Sequence, residues 1–243
     1  MPNPKSESLF HFTKSLDGLL SILKNGFFPR FCVEDHTWFG MSDNAAAYPI
    51  VCFCDIPLSR IKDHTDFYGA YGIGLTREWA QKNHLEPVIY SAGYGSVLDI
   101  AKYLWQEGVE ADDEKFDIDR FSYFSKLARY IKPIKGKMTV GGEILDKEFY
   151  QENEWRYAPH DGLETKTLFK ESFDAKREEE NKKLEKKPLE IAPQDIKYIF
   201  VSDDTEIPQV VDFINTQLGH FPHTDLKILL TRVLSLNSVE NDL

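Results

Sequence analysis

Strand-like and helix-like segments follow one another in this chain without a regular beat, and that irregularity constrains the fold more than any other feature. The early run Leu9–Thr13, "LFHFT", has the alternation of a strand. It gives way to "LDGLLSILKNG", where Leu16, Leu19, Leu20 and Leu23 recur at i, i+3, i+4 and i+7 on one helical face. Ser15 is placed to cap that helix and Gly26 to stop it. Further strands are expected at "IVCFCDIP", "AYGIGLT", "PVIYSA", Phe149–Tyr157 and "IKYIFV". Helices are expected at "LSRIKDHTDFYG", at "REWAQKNHL", through most of 97–131, and at "TEIPQVVDFINTQL" with Ser202 as its cap. "FFPRFCVEDHTWFGMSDNAAAYP" and the beginning of "VGGEILDKEF" read as loop. A doubly wound sheet needs strict βαβ alternation, so this order predicts an α+β fold.

The length of 243 residues suits a single domain, 1–243, with a mostly helical insertion at about 97–138 and a charged, mobile segment at about 170–190. Within that segment "DAKREEENKKLEKK" reads as a solvated helix or a mobile loop. Apolar residues at 42% and aromatic residues at 13% supply a large core. A net charge of −11 opposes retention on nucleic acid or on anionic membranes by bulk electrostatics. No apolar run reaches the ~20 residues of a membrane helix, and the start lacks the apolar stretch of a signal peptide. Three cysteines, Cys32, Cys52 and Cys54, suit a reducing compartment. Together these predict a cytoplasmic protein with no membrane partner.

The candidate chemistry begins at "FYQENEWRY", where Glu152 and Glu154 interrupt an aromatic strand. In a strand, a spacing of two sends both carboxylates to one face. They are then either a solvated pair or the acids of a cleft, and Arg156, on the same face, is available as an internal counter-ion. His11 and Thr13 share the face of their strand opposite Phe10 and Phe12. His11 reads as a hydrogen-bonded core histidine or as a ligand contact. Tyr68 and Tyr71 flank glycines, and Gly72 and Gly74 admit either a close ligand or a neighbouring side chain. Cys52 and Cys54 lack the further ligands a zinc site requires, so no metal is expected. From Arg120 to Lys137 the basic residues Arg120, Lys126, Arg129, Lys132, Lys135 and Lys137 mix with aromatics and no acids. That run reads as an amphipathic helix with a solvated face or as a macromolecular contact.

Taken in order, His-x-Thr before a helix, Tyr with Gly, and Glu-x-Glu resemble the His-Tyr-Glu branch of the ADP-ribosyltransferase superfamily. That branch includes diphtheria-like toxins, poly-ADP-ribose polymerases and DNA-targeting toxins of bacterial toxin–antitoxin pairs. Over most of the chain, "LFHFTKSLDGLLSILKNGFFPRFCVED", "CFCDIPLSRIKDH", "YGAYGIGLTREWA" and "ENEWRY" resemble the first component of bacterial AbiG-type abortive-infection proteins. The superfamily resemblance implies a split mixed β-sheet with flanking helices, and NAD as substrate without a metal. It also implies that His11 and the Thr13 region bind the nicotinamide side, that Tyr68 or Tyr71 stacks on the ring, and that Glu154 and Glu152 are catalytic. Phe12 stands where a small glycine is common, which narrows that pocket. The implied function is transfer of ADP-ribose to a protein or nucleic-acid acceptor in an anti-phage system. Its alternatives are a catalytically silent antitoxin or sensor that binds a nucleotide or a cognate partner protein, and an NAD glycohydrolase.

Overall fold

The computed structural model describes residues 6–39, 45–109, 118–140, 143–159 and 167–242. In chain order the elements are β1 (Ser8–Thr13), α1 (Leu16–Asn25), β2 (Arg30–Asp35), β3 (Ala45–Cys54), α2 (Ile61–Tyr68), β4 (Tyr71–Thr76), α3 (Arg77–Lys82), β5 (Glu86–Pro87) and β6 (Ile89–Ser91). There follow α4 (Ser96–Val109), α5 (Ile118–Ala128), β7 (Ile131–Pro133), β8 (Gly136–Val140), β9 (Glu143–Lys147), β10 (Glu154–Tyr157) and β11 (Leu168–Phe169). The chain ends with α6 (Lys170–Leu184), β12 (Ile196–Val201), α7 (Ile207–Gln217), α8 (His223–Leu230), β13 (Val233–Ser235) and α9 (Leu236–Asp242). The fold is α+β, with antiparallel pairs outnumbering the parallel ones. Among the described residues no helix is long and apolar enough to cross a membrane.

Local signals place α1 as expected. Ser15 Oγ accepts from the Gly18 amide at 3.1 Å, and Gly26, at φ 76°, ends the helix. Three expectations are corrected. The stretch read as loop after Phe27 forms β2 and the first half of β3, which runs antiparallel to it from Arg30↔Ile50 to Asp35↔Ala45. Three alanines and Pro49 have weak strand character, so pairing with β2 rather than propensity makes this a strand. "VGGEILDKEF" contributes β9 of a hairpin with β8, paired from Gly136↔Lys147 to Val140↔Glu143. Asp203, in place of Ser202, is the capping residue: its carboxylate accepts from Thr205 N at 2.9 Å and caps the 3₁₀ turn Asp204–Glu206 that leads into α7. The charged run after 170 forms α6, and residues 110–117 of the expected acidic turn lie outside the described residues.

The chain divides into two compact units. The first comprises Met1–Phe27, Cys52–Leu85 and Pro188–Leu243, and the second Phe28–Val51 and Glu86–Lys187. In the first unit the strand order is β13-β12-β4-β1, with the end of β3 beside β1 at Phe10↔Cys54. Strand β4 carries its glycines opposite aromatic residues on both neighbours: Phe10 and Tyr198 at Gly74, Phe12 and Phe200 at Gly72. A Cβ on Gly74 would stand 2.7 Å from Phe10 Cε1 and 2.9 Å from Tyr198 Cδ2. The glycines therefore make room for rings, which meet across β4 as Phe10 with Tyr198 at 5.9 Å and Phe12 with Phe200 at 6.5 Å, in a cluster with Ile61 of α2 and Leu236 of α9.

In the second unit β3 is flanked near Ala47 by β2 and by β11, and β10 pairs with β5. Strands β6 and β7 are parallel, joined through α4 and α5 as parallel strands require. Leu98 and Ala101 of α4 pack with Ile131 of β7. Helix α6 lays Leu184 against Phe31 and Ala47. Its buried Asn181 accepts from the Phe31 amide at 2.9 Å, satisfying a backbone donor on β2.

Candidate functional site

The stretch Phe149–Tyr157 is not one strand. Phe149–Glu152 forms a 3₁₀ turn, Asn153 adopts a left-handed conformation at φ 46°, and only Glu154–Tyr157 is extended. Asparagine tolerates that conformation better than most residues, because its short side chain bonds locally. Strand pleat therefore does not set Glu152 and Glu154 side by side. A shared cation does. Lys132 Nζ lies 2.8 Å from Glu154 Oε2 and 3.4 Å from Glu152 Oε2.

The two acids belong to a chain of alternating charge. From one end it runs Lys147, Glu152, Lys132, Glu154, Arg156, Glu34, with links of 2.6, 3.4, 2.8, 2.7 and 2.7 Å. Among the described residues these links join three carboxylates to three cations. Its members come from β9, the 3₁₀ turn, β7, β10 and β2, all within the second unit. Arg156 is fully buried and uses all three nitrogens. Nε donates to Glu154 Oε1, Nη2 to Glu34 and Glu154, and Nη1 to the carbonyl of Arg129. Such a fork matches several acceptors at once, which a lysine does not.

Burial and neighbours act in opposition along this chain. Burial works against charge on Lys132, yet Glu154, Glu34 and Glu152 outweigh it and hold the ammonium above the ordinary lysine range. Burial likewise resists ionisation of Glu152, but Lys132 and Lys147 prevail and lower its pKa. Cys32 nearby is pushed up to about 11, by burial first and by Glu34 second, which keeps it a thiol. The phenol of Tyr90 accepts from the Glu154 amide at 2.8 Å, and its ring meets Tyr150 edge-on at 5.5 Å. Phe149 lies under Lys132, whose nitrogen is 4.6 Å from the ring centre. Both oxygens of Glu154 accept from buried cations, Oε1 from Arg156 and Oε2 from Lys132 and Arg156, which fixes how the carboxylate is turned. In this arrangement the chain of charge clamps four strands and a turn together.

The other predicted residues lie in the first unit. His11 is half-buried; its Nδ1 is 2.8 Å from the Cys52 carbonyl and its ring sits against Phe27 and Phe53. Burial lowers its pKa, so the neutral imidazole is favoured. Thr13 lies against α1, where a Cβ on Gly18 would approach its Oγ1 to 2.6 Å. Tyr71 pairs across from Thr13, and its hydroxyl donates to Glu206 at 2.7 Å, which raises its pKa. Tyr68 packs against the cluster that contains Phe10 and Phe12, and its ring centre lies 4.4 Å from that of His64. Phe10 and Phe12 occupy the strand face opposite His11, so the structure does not bring Tyr68 and His11 together.

The basic run does not form one surface. Arg129 is buried with its guanidinium 5.9 Å from the Tyr48 ring, and Lys132 is taken into the ion chain, while Lys126, Lys135 and Lys137 are exposed. The side chain of Arg120 lies outside the described residues. Lys132 and Lys147 were not distinguishable in the sequence as partners of the acids, nor Glu34 as a partner of Arg156. The available signal was the cost of burying Glu154 unpaired, which demands cations but does not name them. Among the described residues no group of three or more His, Cys, Asp or Glu side chains is placed to hold a metal ion.

A family model described as "Putative abortive phage resistance protein AbiGi, antitoxin" matches residues 25–202, well over half of the chain. That span includes every member of the ion chain. An "Abortive phage resistance protein AbiGi" from Lactococcus lactis subsp. cremoris is 25% identical over 246 residues, covering 89% of this chain and 99% of its own. No solved structure matches.

Proposed function

We propose, from the premise that this chain belongs to the AbiGi family of abortive phage resistance proteins, that it is the antitoxin-type member of a phage-defence pair. It acts by binding a cognate toxin protein and carries out no reaction of its own. The family description supports the antitoxin role. The observation that carries the non-catalytic reading is Glu154, buried and bonded through one oxygen to Arg156 and through the other to Lys132.

NAD cleavage in an ADP-ribosyltransferase-like fold is the competing reading. It calls for a carboxylate facing the ribose, where it bonds the 2′-hydroxyl and stabilises the developing cation. The bonds that hold Glu154 compete with that task. A net charge of −11 suits the binding role, because it steers the chain toward a partner with a basic surface.

Expression in a bacterial host tests the proposal. The chain alone, wild type or Glu154→Gln, leaves growth and cellular NAD unchanged. Co-expressed with the toxin gene of its own system, it relieves the arrest that toxin causes. NAD loss that appears with the wild type and vanishes with Glu154→Gln overturns the reading in favour of an enzyme. Failure to relieve the arrest overturns the antitoxin role.

A further inference from the structure

We infer that Asn25 is a conformation-gated modification site: its side-chain amide is kept from reacting while the C-terminal end of α1 is closed, and becomes aspartate or isoaspartate when that end opens. The inference is independent of the antitoxin reading. Among the asparagines of the chain, Asn25 alone precedes a glycine. The reaction joins the backbone nitrogen of the following residue to the asparagine Cγ, and glycine has no side chain to obstruct that approach. The fold also requires the glycine. Gly26 ends α1 at φ 76°, and a Cβ there would collide with the Leu189 carbonyl oxygen. The reactive pair is therefore built into the helix stop.

Hydrogen bonds hold the pair apart in the closed state. The Gly26 amide donates to the Ile22 carbonyl at 2.9 Å, so the nitrogen that would attack is engaged. Asn25 Nδ2 donates to Ser21 Oγ at 3.3 Å, which turns the carboxamide back along the helix. Just beyond, Phe27 and Leu189 exchange backbone bonds of 2.9 and 2.8 Å, fixing the path of the chain as it leaves α1. Asn25 is exposed but Gly26 is buried, so solvent reaches the amide and not the nitrogen that must lose its proton.

Opening of the last turn frees both groups. The Gly26 amide gives its proton to solvent and its nitrogen bonds to Asn25 Cγ. The bond from Cγ to Nδ2 breaks, and the side-chain nitrogen leaves as ammonia. Water then opens the cyclic imide at one carbonyl or the other, which yields aspartate or isoaspartate. Water is consumed and nothing is oxidised or reduced. Isoaspartate lengthens the main chain by one methylene just before Gly26. The Gly26 and Phe27 amides then lose their register with Ile22 and Leu189, so a converted chain closes less well than the original.

Peptide mass spectrometry of the full chain, aged at mildly alkaline pH in native buffer and in guanidinium chloride above its unfolding midpoint, tests this. Conversion at Asn25 is at least about tenfold faster in the unfolded chain. Asn83 and Asn215, which precede His84 and Thr216, lag behind it there. Leu23→Ala removes a buried side chain from the last turn of α1 and speeds conversion in native buffer without touching the pair. Asn25→Gln forms no product at this position during the same ageing and keeps its melting temperature on refolding, whereas the aged wild type melts lower. Equal rates at Asn25 in the native and unfolded chain overturn the inference. So does an Asn25 that outlasts Asn83 and Asn215 when unfolded, and so does a native rate indifferent to Leu23→Ala.

Discussion

Arg156 Nε donates to Glu154 Oε1 at 2.7 Å from two positions further along the same strand, and the same guanidinium reaches Glu34 through Nη2, 122 residues away in sequence. The first contact comes with the strand, since i and i+2 share a face. The second exists only because β2 and β10 are folded into one unit.

Removing the fork is therefore expected to be costly. Arg156→Met leaves Glu34 and Glu154 without their shared cation in a buried setting. It should lower stability by roughly 3–5 kcal/mol, read from the shift of the urea unfolding midpoint. Arg156→Lys should recover little of this, because one ammonium cannot reach the acceptors served by Nε, Nη1 and Nη2. A midpoint for Arg156→Met equal to the wild type would show that the cluster is not under strain of charge balance.

Lys132 and Glu154 form the middle link, and removing both leaves two complete pairs, Lys147–Glu152 and Arg156–Glu34. Lys132→Met or Glu154→Leu alone leaves the buried links with one charge in excess, although Glu154 keeps Arg156 and Lys132 keeps Glu152. The double variant should be more stable than either single one, with a coupling energy in the range of about 1–3 kcal/mol from a double-mutant cycle. Additive single effects would mean that the two side chains do not interact.

Gly74 is required by its neighbours rather than by a ligand. Gly74→Ala forces Phe10 and Tyr198 aside and should cost roughly 1–3 kcal/mol, measured by thermal or chemical unfolding. Pairing the change with Phe10→Leu, which shortens one obstructing ring, should return part of that loss. If Gly74→Ala is neutral, the ring contacts across β4 are looser than the geometry indicates.

His36 sets a pH dependence. It is buried, its Nε2 is 3.0 Å from the Tyr48 hydroxyl, and burial lowers its pKa from 6.5 to about 4. The unfolded chain takes up this proton first as pH falls, so the contribution is complete above about pH 6.5 and declines down to about pH 4. The loss is on the order of 3 kcal/mol. His36→Gln should flatten stability across that window in unfolding measurements made at several pH values. Glu152 acts in a lower range: its pKa is depressed, so its contribution is present above the ordinary glutamate pKa and is lost as pH falls through the folded value.

Several elements were legible because their cause is local. The leucine repeat of α1, the Ser15 cap, the Gly26 stop and the alternation of β1 all act within a few residues. Arg156 as internal counter-ion was legible for the same reason. The 3₁₀ turn before Glu154 was not. It depends on the left-handed Asn153, and an asparagine between two acids reads equally well as part of a strand. The first half of β3 was hidden in the same way, since its alanines and Pro49 become a strand only beside β2.

The sequence by itself determined the α+β class, the local elements and the closeness of Arg156 to Glu154, because those follow from periodicity, capping and strand pleat acting over short spans. The tertiary structure alone decided that Lys132, Lys147 and Glu34 complete the chain of charge, that Arg129 is buried while Lys126 stays in water, and that Tyr68 and His11 face opposite ways. The reason is physical. A side chain's type states its charge, but its burial and its partners are set by which distant strands fold against it, and those two quantities govern whether a carboxylate is held or free to react.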